Sequence, residues 1–366
     1  MPNPAHHSLQ GSATATTATV TATASTSSIV QLISDFSHLA IPGASPPTDA
    51  DPPPPCPIAE LPEELLSDIM KWSAILDLGS LSRLSQVCKR FAYLAMTDQQ
   101  VWRRIAQGPE YGFAAMHYDY VCDLKGQPLP DDYSDIYERS LETSDQQRAQ
   151  LRPPAKTTSD IDAHLLQKVY GNSWRQLFRQ RPRLRFNGCY ISTVNYSRPG
   201  AASTDTRTWG TPIHIVTYFR YLRFFRDGTC ISLLTTTEPG DVVHHLTKEN
   251  LRHRNERSAL PSAVMKDALA GRWHLSGPGD GTENQNVEAE TEGNVHIETD
   301  GVVPKYMWKM QFSLQSGGRK DGARNNKLAW VGFWSYNRLT DDWGEFGLKN
   351  DKAFWFSRVR GYGMGS

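Results

Sequence analysis

Apolar residues along this chain follow two different periods. In LPEELLSDIMKW (61–72), Leu65, Leu66, Ile69, Met70 and Trp72 fall within eight positions, at helical spacing. Pro62 suits a first helical position, where its missing N–H has no partner to lose, and Glu63 and Glu64 put negative charge at the positive end of the helix dipole. Asp77 reads as the N-cap of a second helix whose Leu78, Leu81 and Leu84 lie three apart. Leu84, Val87, Cys88, Phe91, Leu94 and Ala95 then continue one apolar face, and a short helix around Val101, Trp102 and Ile105 closes the group, with Trp102 in its core. So short a group buries little surface and is marginal alone.

Beyond residue 186 the period changes to alternation. Candidate strands are 186–194, 215–225, 229–236, 271–276, 286–290, 295–299, 307–315, 327–336, 344–348 and 353–360. Asp227-Gly228 between two of them marks a hairpin, because glycine accepts the positive φ of such turns. Strands in this number with short connections predict a closed antiparallel barrel or a sandwich, and closure removes exposed edges. The insertion EPGDVVHHLTKENLRHR, with PSAVMKDALA after it, adds a helix or two over one end. HLLQKVYGNSWRQLFRQR, ahead of the strands, predicts a short helical stretch that braces the first helical group.

The expected organisation is therefore a tail (1–57), a helical domain (58–107), a flexible connector (108–160) and a barrel-like domain with its bracing helix (161–366). Between Gly11 and Ile29 every residue except Val20 is Ala, Ser or Thr, too little apolar bulk to offset ordering entropy, and SPPTDADPPPPCP (45–57) favours extended polyproline geometry. IVQLISDFSHLAI (29–41) has the pattern of a short amphipathic helix or docking peptide. KGQPLPDDYSD and SLETSDQQRAQLRPPAKTTSD give the connector its polar, Pro-bearing character.

Charge narrows the partners. In 366 residues Lys+Arg and Asp+Glu are both 39, so no global field draws nucleic acid or an anionic membrane, and proteins are the expected partners. Five widely spaced cysteines, at 56, 88, 122, 189 and 230, form neither a disulfide framework nor a CxxC metal site and read as free thiols. No apolar run is long enough to span a membrane, and the first basic residue is Lys71, which removes the n-region of a signal peptide. A cytoplasmic, or cytoplasmic and nuclear, location is expected.

LPEELLSDIMKW, then LDLGSLSRLSQVCKRFAYLA, then VWRRI resemble an F-box in family order. RPRLRFNGCYIS, YFRYLRFFRDGTCISLLTTTEP, KLAWVGFWS and FWFSRVRGY resemble, also in order, the carboxy-terminal domain of the F-box-only protein nine family. Two regions depart from that family: the first 57 residues hold no counterpart of its tetratricopeptide-like repeat, and the 123–160 connector is long. The resemblance implies an α+β protein, a helical F-box followed by a calycin-like barrel or sandwich, with a disordered N-terminus. It implies docking on the Skp adaptor, and through it a cullin-RING ligase, with Leu61, Pro62, Leu65, Ile69, Leu78, Val87 and Phe91 as adaptor contacts or their support. A helix-in-groove mode fits such anchors.

No GxSxG, HExxH, P-loop or paired cysteine is present, and no catalytic residue, cofactor or metal is expected. His244, His245 and His253 form a histidine concentration, on a polar segment that suits solvent-facing side chains. In IVTYFRYLRFF alternation places Arg220 on one face and Arg223 on the other, each among apolar groups, and in the last strand Arg358 and Arg360 share a face with Phe354 and Phe356. Either such arginines grip an acidic or phosphorylated substrate protein, for which Arg220 and Arg223 are the candidates, or they brace the barrel against a first-strand aromatic, for which Arg358, Arg360 and Tyr190 are. The function expected is a non-catalytic substrate receptor of an SCF-type ubiquitin ligase. A small-ligand barrel carrying an F-box for regulated turnover, and a cullin-free Skp complex, are the alternatives.

Overall fold

The computed structural model describes residues 40–129 apart from Pro42, Pro47 and Pro53, and residues 158–199, 213–253, 262–277, 292–318 and 324–363. The Ala/Ser/Thr tail, IVQLISDF, most of the connector (130–157) and the expected strand at 286–290 lie outside the described residues. Helices α1 (Glu63–Leu76), α2 (Leu78–Leu84), α3 (Lys89–Thr97) and α4 (Gln99–Gln107) occupy the stretch of helical period. The chain divides into two compact units, Met1–Pro62 with Ser82–Thr97, and Glu63–Leu81 with Asp98–Ser366.

In the first unit, α3 buries Phe91, Leu94 and Ala95, at i, i+3 and i+4. The apolar face expected to run on through Val87 is interrupted. Ser85 Oγ donates to the Ser82 carbonyl at 2.8 Å, a local bond that competes with helix continuation, and Val87 falls in the turn before α3, exposed.

In the second unit, the Asp77 carboxylate accepts from Gly79 N at 3.1 Å and Ser80 Oγ at 3.2 Å, capping α2 as its sequence predicts. Asp98 caps α4 through Gln100 N at 2.8 Å and Val101 N at 3.2 Å. Helix α1 starts at Glu63, one residue after Pro62, and packs on α4; it buries Leu66, Met70 and Ala74, and α4 buries Val101, Ile105 and Ala106. Next come α5 (Thr158–Lys168) and α6 (Trp174–Gln180), and α6 braces α4: Trp102 meets Phe178 at 5.8 Å between ring centroids, and Trp174 N donates to Gln99 Oε1 at 2.9 Å.

Nine strands follow: β1 (Gly188–Pro199), β2 (Ile213–Phe224), β3 (Thr229–Thr235), β4 (Leu269–Leu275), β5 (Asn294–Asp300), β6 (Tyr306–Gln315), β7 (Lys327–Asn337), β8 (Asp342–Glu345) and β9 (Phe354–Arg358). β1 to β6 pair in sequence, β6 pairs β7, β7 pairs β9, and β9 pairs back on β1, all antiparallel, so eight strands close a barrel and β8 extends β7 as a hairpin arm. Closure needs Gly188: a Cβ there would stand 2.1 Å from the Ser357 carbonyl oxygen. Gly228 turns β2 into β3 at φ +82°, as the Asp-Gly pair predicts.

Aromatic rings fill the interior. Tyr190 meets Phe224 at 5.6 Å and Phe356 at 5.2 Å, Phe224 meets Trp273 at 5.9 Å, and Phe312 meets Phe354 at 5.3 Å. One end is sealed by the chain leading into it, where Phe186 and His117 both lie on Trp273, at 5.9 and 5.3 Å. Residues 113–129, expected as part of a flexible connector, thus belong to the barrel. Phe113, Met116 and Cys122 are buried, Leu275 N donates to the His117 carbonyl at 2.8 Å, and Arg272 Nη1 donates to that of Cys122 at 3.2 Å. Arg181 ties these layers together: buried, it pairs with Asp162 of α5, donates to Glu292 at 2.7 Å and Tyr118 Oη at 2.9 Å, and lies 4.5 Å from the Phe113 ring. The insertion between β3 and β4, with helices α7 (Pro239–Val242), α8 (Lys248–Arg252) and α9 (Ser262–Met265), covers the outer wall rather than an end. It packs Val242, Leu246 and Met265 over Tyr221, Ile231, Leu233 and Cys189.

Candidate functional site

Helix α1 carries a second apolar stripe. Leu65, Ile69, Trp72 and Leu76 follow one another at i, i+4, i+7 and i+11, and are 48%, 44%, 63% and 72% exposed. They lie roughly a third of a turn from the buried line of Leu66, Met70 and Ala74. At roughly 1.5–3 kcal/mol for each large apolar side chain moved out of water, covering this stripe would contribute several kcal/mol. Of the other residues singled out for docking, Leu61 is half-buried and Pro62 exposed just before α1, and Leu78 is half-buried at the start of α2. Val87 is exposed in its own unit and Phe91 is buried there, which leaves Phe91 a supporting position rather than a contact. The sequence-derived docking set omitted Trp72 and Leu76, although their spacing from Leu65 was a readable signal.

The four arginines divide differently from expectation. Arg223, proposed as a substrate contact, is 3% exposed under the β3–β4 insertion; its guanidinium lies 3.4 Å from the Tyr362 ring centroid and 4.6 Å from that of Phe225, and Nη1 donates to the Leu246 carbonyl. Burial lowers its pKa, against the opposing pull of Tyr362. It is a brace. Arg358 and Arg360, proposed as braces on Tyr190, are instead exposed: β9 ends at Arg358, whose side chain approaches Asp77 at 3.5 Å, and Arg360 lies in a 3-10 turn. The reason is the 3-10 turn that follows, where Tyr362 N donates to the Val359 carbonyl at 3.1 Å and Gly363 N to that of Arg360 at 3.2 Å, which ends the alternation before Arg360. Tyr190 is fully buried among rings, its hydroxyl 3.4 Å from the Asn325 carbonyl, and burial pushes its pKa up to about 12.

Arg220 keeps an interior place at the open end. It pairs with Asp351 at 3.0 Å, lies 5.4 Å from the Trp330 ring, and lines a cavity of about 240 Å³ with Leu234, Trp308, Met310, Phe333 and Phe354. Burial lowers its pKa and Asp351 opposes the shift. A second, wider cleft of about 480 Å³ lies by the sealed end, between Asp77 to Gly79, Glu110 and Tyr111 on one side and Arg183 to Asn187 on the other.

The cysteines are unpaired; burial pushes the thiol of Cys122 up to about 11, that of Cys189 up to about 12 and that of Cys230 well above its ordinary value, so none of these three is a ready nucleophile. His244 and His253 are exposed, and among the described residues no group of three or more His, Cys, Asp or Glu side chains is gathered as metal ligands would be. Among those residues no helix is long and apolar enough to cross a membrane.

The described residues thus hold an uncovered apolar stripe on α1 and, later in the chain, a closed barrel. Residues 58–108 match the F-box-like family, and residues 163–329 match the F-box only protein C-terminal region. The chain thus carries matches to both families, in that order. It is similar to F-box protein pof7 of Schizosaccharomyces pombe, 31% identical over 208 residues, which are 57% of this chain and 50% of that protein. It is also similar to F-box protein HRT3 of Saccharomyces cerevisiae, 27% identical over 313 residues, 84% of this chain and 71% of that one. The first match thus spans about half the length of its relative. No solved structure matches the chain.

Proposed function

We propose that this protein is the substrate receptor of an SCF-type (Skp, cullin, F-box) ubiquitin ligase, with residues 58–107 as the adaptor-docking domain and 161–366 as the target-binding domain. The observation that carries the reading is the exposed stripe Leu65, Ile69, Trp72 and Leu76 inside the F-box-like region. An amphipathic helix with anchors at this spacing fills an apolar groove; Leu61, Pro62, Leu78 and Val87 are further contacts in this reading, and Phe91 a support. The protein itself is non-catalytic and works by proximity, raising the effective concentration of target lysines near a ubiquitin-charged enzyme in the cytoplasm or nucleus. Its targets are proteins, acidic or phosphorylated ones among them, and neither nucleic acid nor membrane.

The filled interior supports this reading over a small-ligand barrel, since the mouth cavity of about 240 Å³ is smaller than the usual pocket for a drug-sized ligand. The test is co-purification of the Skp adaptor with the full chain carrying Ile69→Asp and Trp72→Asp. If both are hot spots of about 2 kcal/mol each, affinity falls about a thousandfold. Undiminished adaptor binding by a folded double variant refutes the reading, and adaptor recovered from the parent chain without cullin favours the cullin-free complex instead.

A further inference from the structure

Among the described residues, two arginines at the sealed end of the barrel are left without a carboxylate. In the extended stretch before β1, Leu184 and Phe186 are buried, and the alternate positions Arg183 and Arg185 line the cleft of about 480 Å³. The Arg183 guanidinium stacks 4.0 Å from the Phe178 ring centroid, and its Nε donates to the Phe178 carbonyl at 3.4 Å. Arg185 lies 5.2 Å from the Phe356 ring, one Nη donates to the Arg324 carbonyl, and its Nε is buried with no partner. The two acids on the cleft wall face other cations: Glu110 is held by both Nη atoms of Arg104, at 2.9 and 2.7 Å, and Asp77 caps α2 and faces Arg358, which also lines the cleft.

Burial, and then the repulsion of Arg185, bring the Arg183 pKa down to about 9, and burial lowers Arg185 as well. Two adjacent half-buried cations with unused donors are costly unless an anion completes them. Each guanidinium is held over a ring, and a planar fork with free N–H groups suits a tetrahedral oxyanion held bidentately.

We infer that the Arg183–Arg185 cleft is a binding site for a phosphate monoester, a dianion that matches the two unpaired cations. The phosphate belongs either to a small soluble ester or to a phosphorylated side chain of a partner. This site lies at the opposite end of the barrel from Arg220, and the inference does not depend on adaptor docking.

The test uses the full chain at fixed ionic strength, with inorganic phosphate followed by thermal unfolding and a fluorescent phosphoserine peptide followed by anisotropy. The melting temperature of the parent chain should rise with phosphate, and the response or the peptide affinity should fall at least tenfold in Arg183→Gln and in Arg185→Gln. Arg360→Gln, at an exposed turn outside the cleft, should leave both unchanged. Peptide binding at least tenfold tighter than phosphate, and lost with its unphosphorylated twin, identifies a side-chain source; equal affinities identify a soluble ester. If Arg183→Gln does not fold, Arg185→Gln decides alone, and Arg185→Lys, which keeps the charge without the fork, should recover part of the binding. No response of the parent chain to either probe, or a response unchanged in the folded variants, overturns the inference.

Discussion

Replacing Arg223 by Ala separates a brace from a substrate contact. The side chain is enclosed by Tyr362, Phe225 and the Leu246 carbonyl, in the layer where the β3–β4 insertion meets the outer wall of the barrel. A charged hydrogen bond contributes about 1.5–3 kcal/mol, and a desolvated cation over a ring about 2 kcal/mol. Truncation also relieves the burial cost of the charge, so the net loss is below the sum, roughly 2–4 kcal/mol. For a folded region of this size that corresponds to a melting temperature lower by roughly 5–15 °C. Urea unfolding of the full chain measures the free energy directly, and Arg223→Lys, which keeps the charge but loses the planar stack, should fall between parent and Ala. A folded Arg223→Ala protein within about 0.5 kcal/mol of the parent would refute the reasoning, because substitutions of that small size are typical of surface positions away from special features.

Arg181→Ala should be more damaging still, by about 3–5 kcal/mol, because it strands the carboxylates of Asp162 and Glu292 without their cation; urea unfolding reads this as well. The hydrogen bonds from Arg104 hold the Glu110 carboxyl below its ordinary value of 4.5. A depressed carboxylate pKa adds stability that is present above the unfolded value and lost as pH falls through the folded one. Glu110→Gln should therefore be less stable than the parent near pH 7, by no more than about 1 kcal/mol because the pair is partly exposed, and the gap should close as pH falls through the lowered carboxyl pKa. Arg360→Ala, at an exposed turn, should unfold within about 0.5 kcal/mol of the parent.

Local rules carried far in this chain. The Asp77 cap, the Asp227-Gly228 turn and the alternation of IVTYFRYLRFF each depend on neighbours within a few residues, and each appears in the fold where the sequence puts it. Alternation also separated Arg220 from Arg223. It could not say which face the β3–β4 insertion would cover, and that long-range fact decides that Arg223 is buried. Phe113, Met116 and Cys122 belong to no regular period, so their burial against the barrel was invisible in a polar, Pro-bearing stretch. The same holds for Arg358 and Arg360, where a 3-10 turn from Arg360 to Tyr362 ended a strand that composition alone would prolong. The α1 stripe was legible as spacing, but only the fold shows which of its two apolar lines remains uncovered.

Closure of the barrel by its last strand sets a temporal order on the newly made chain. β1 pairs with β9, and about 160 residues separate them, so one edge of β1 waits while seven other strands are synthesised. During that interval the rings destined for the interior face water, and the open edges of β1 and β7 can recruit strands from other chains. The helices at 63–107 leave the ribosome long before this happens. A partner seated on their apolar stripe could therefore arrive while the barrel is still an open, aggregation-prone sheet, so such a complex would begin to assemble before one of its components has finished folding.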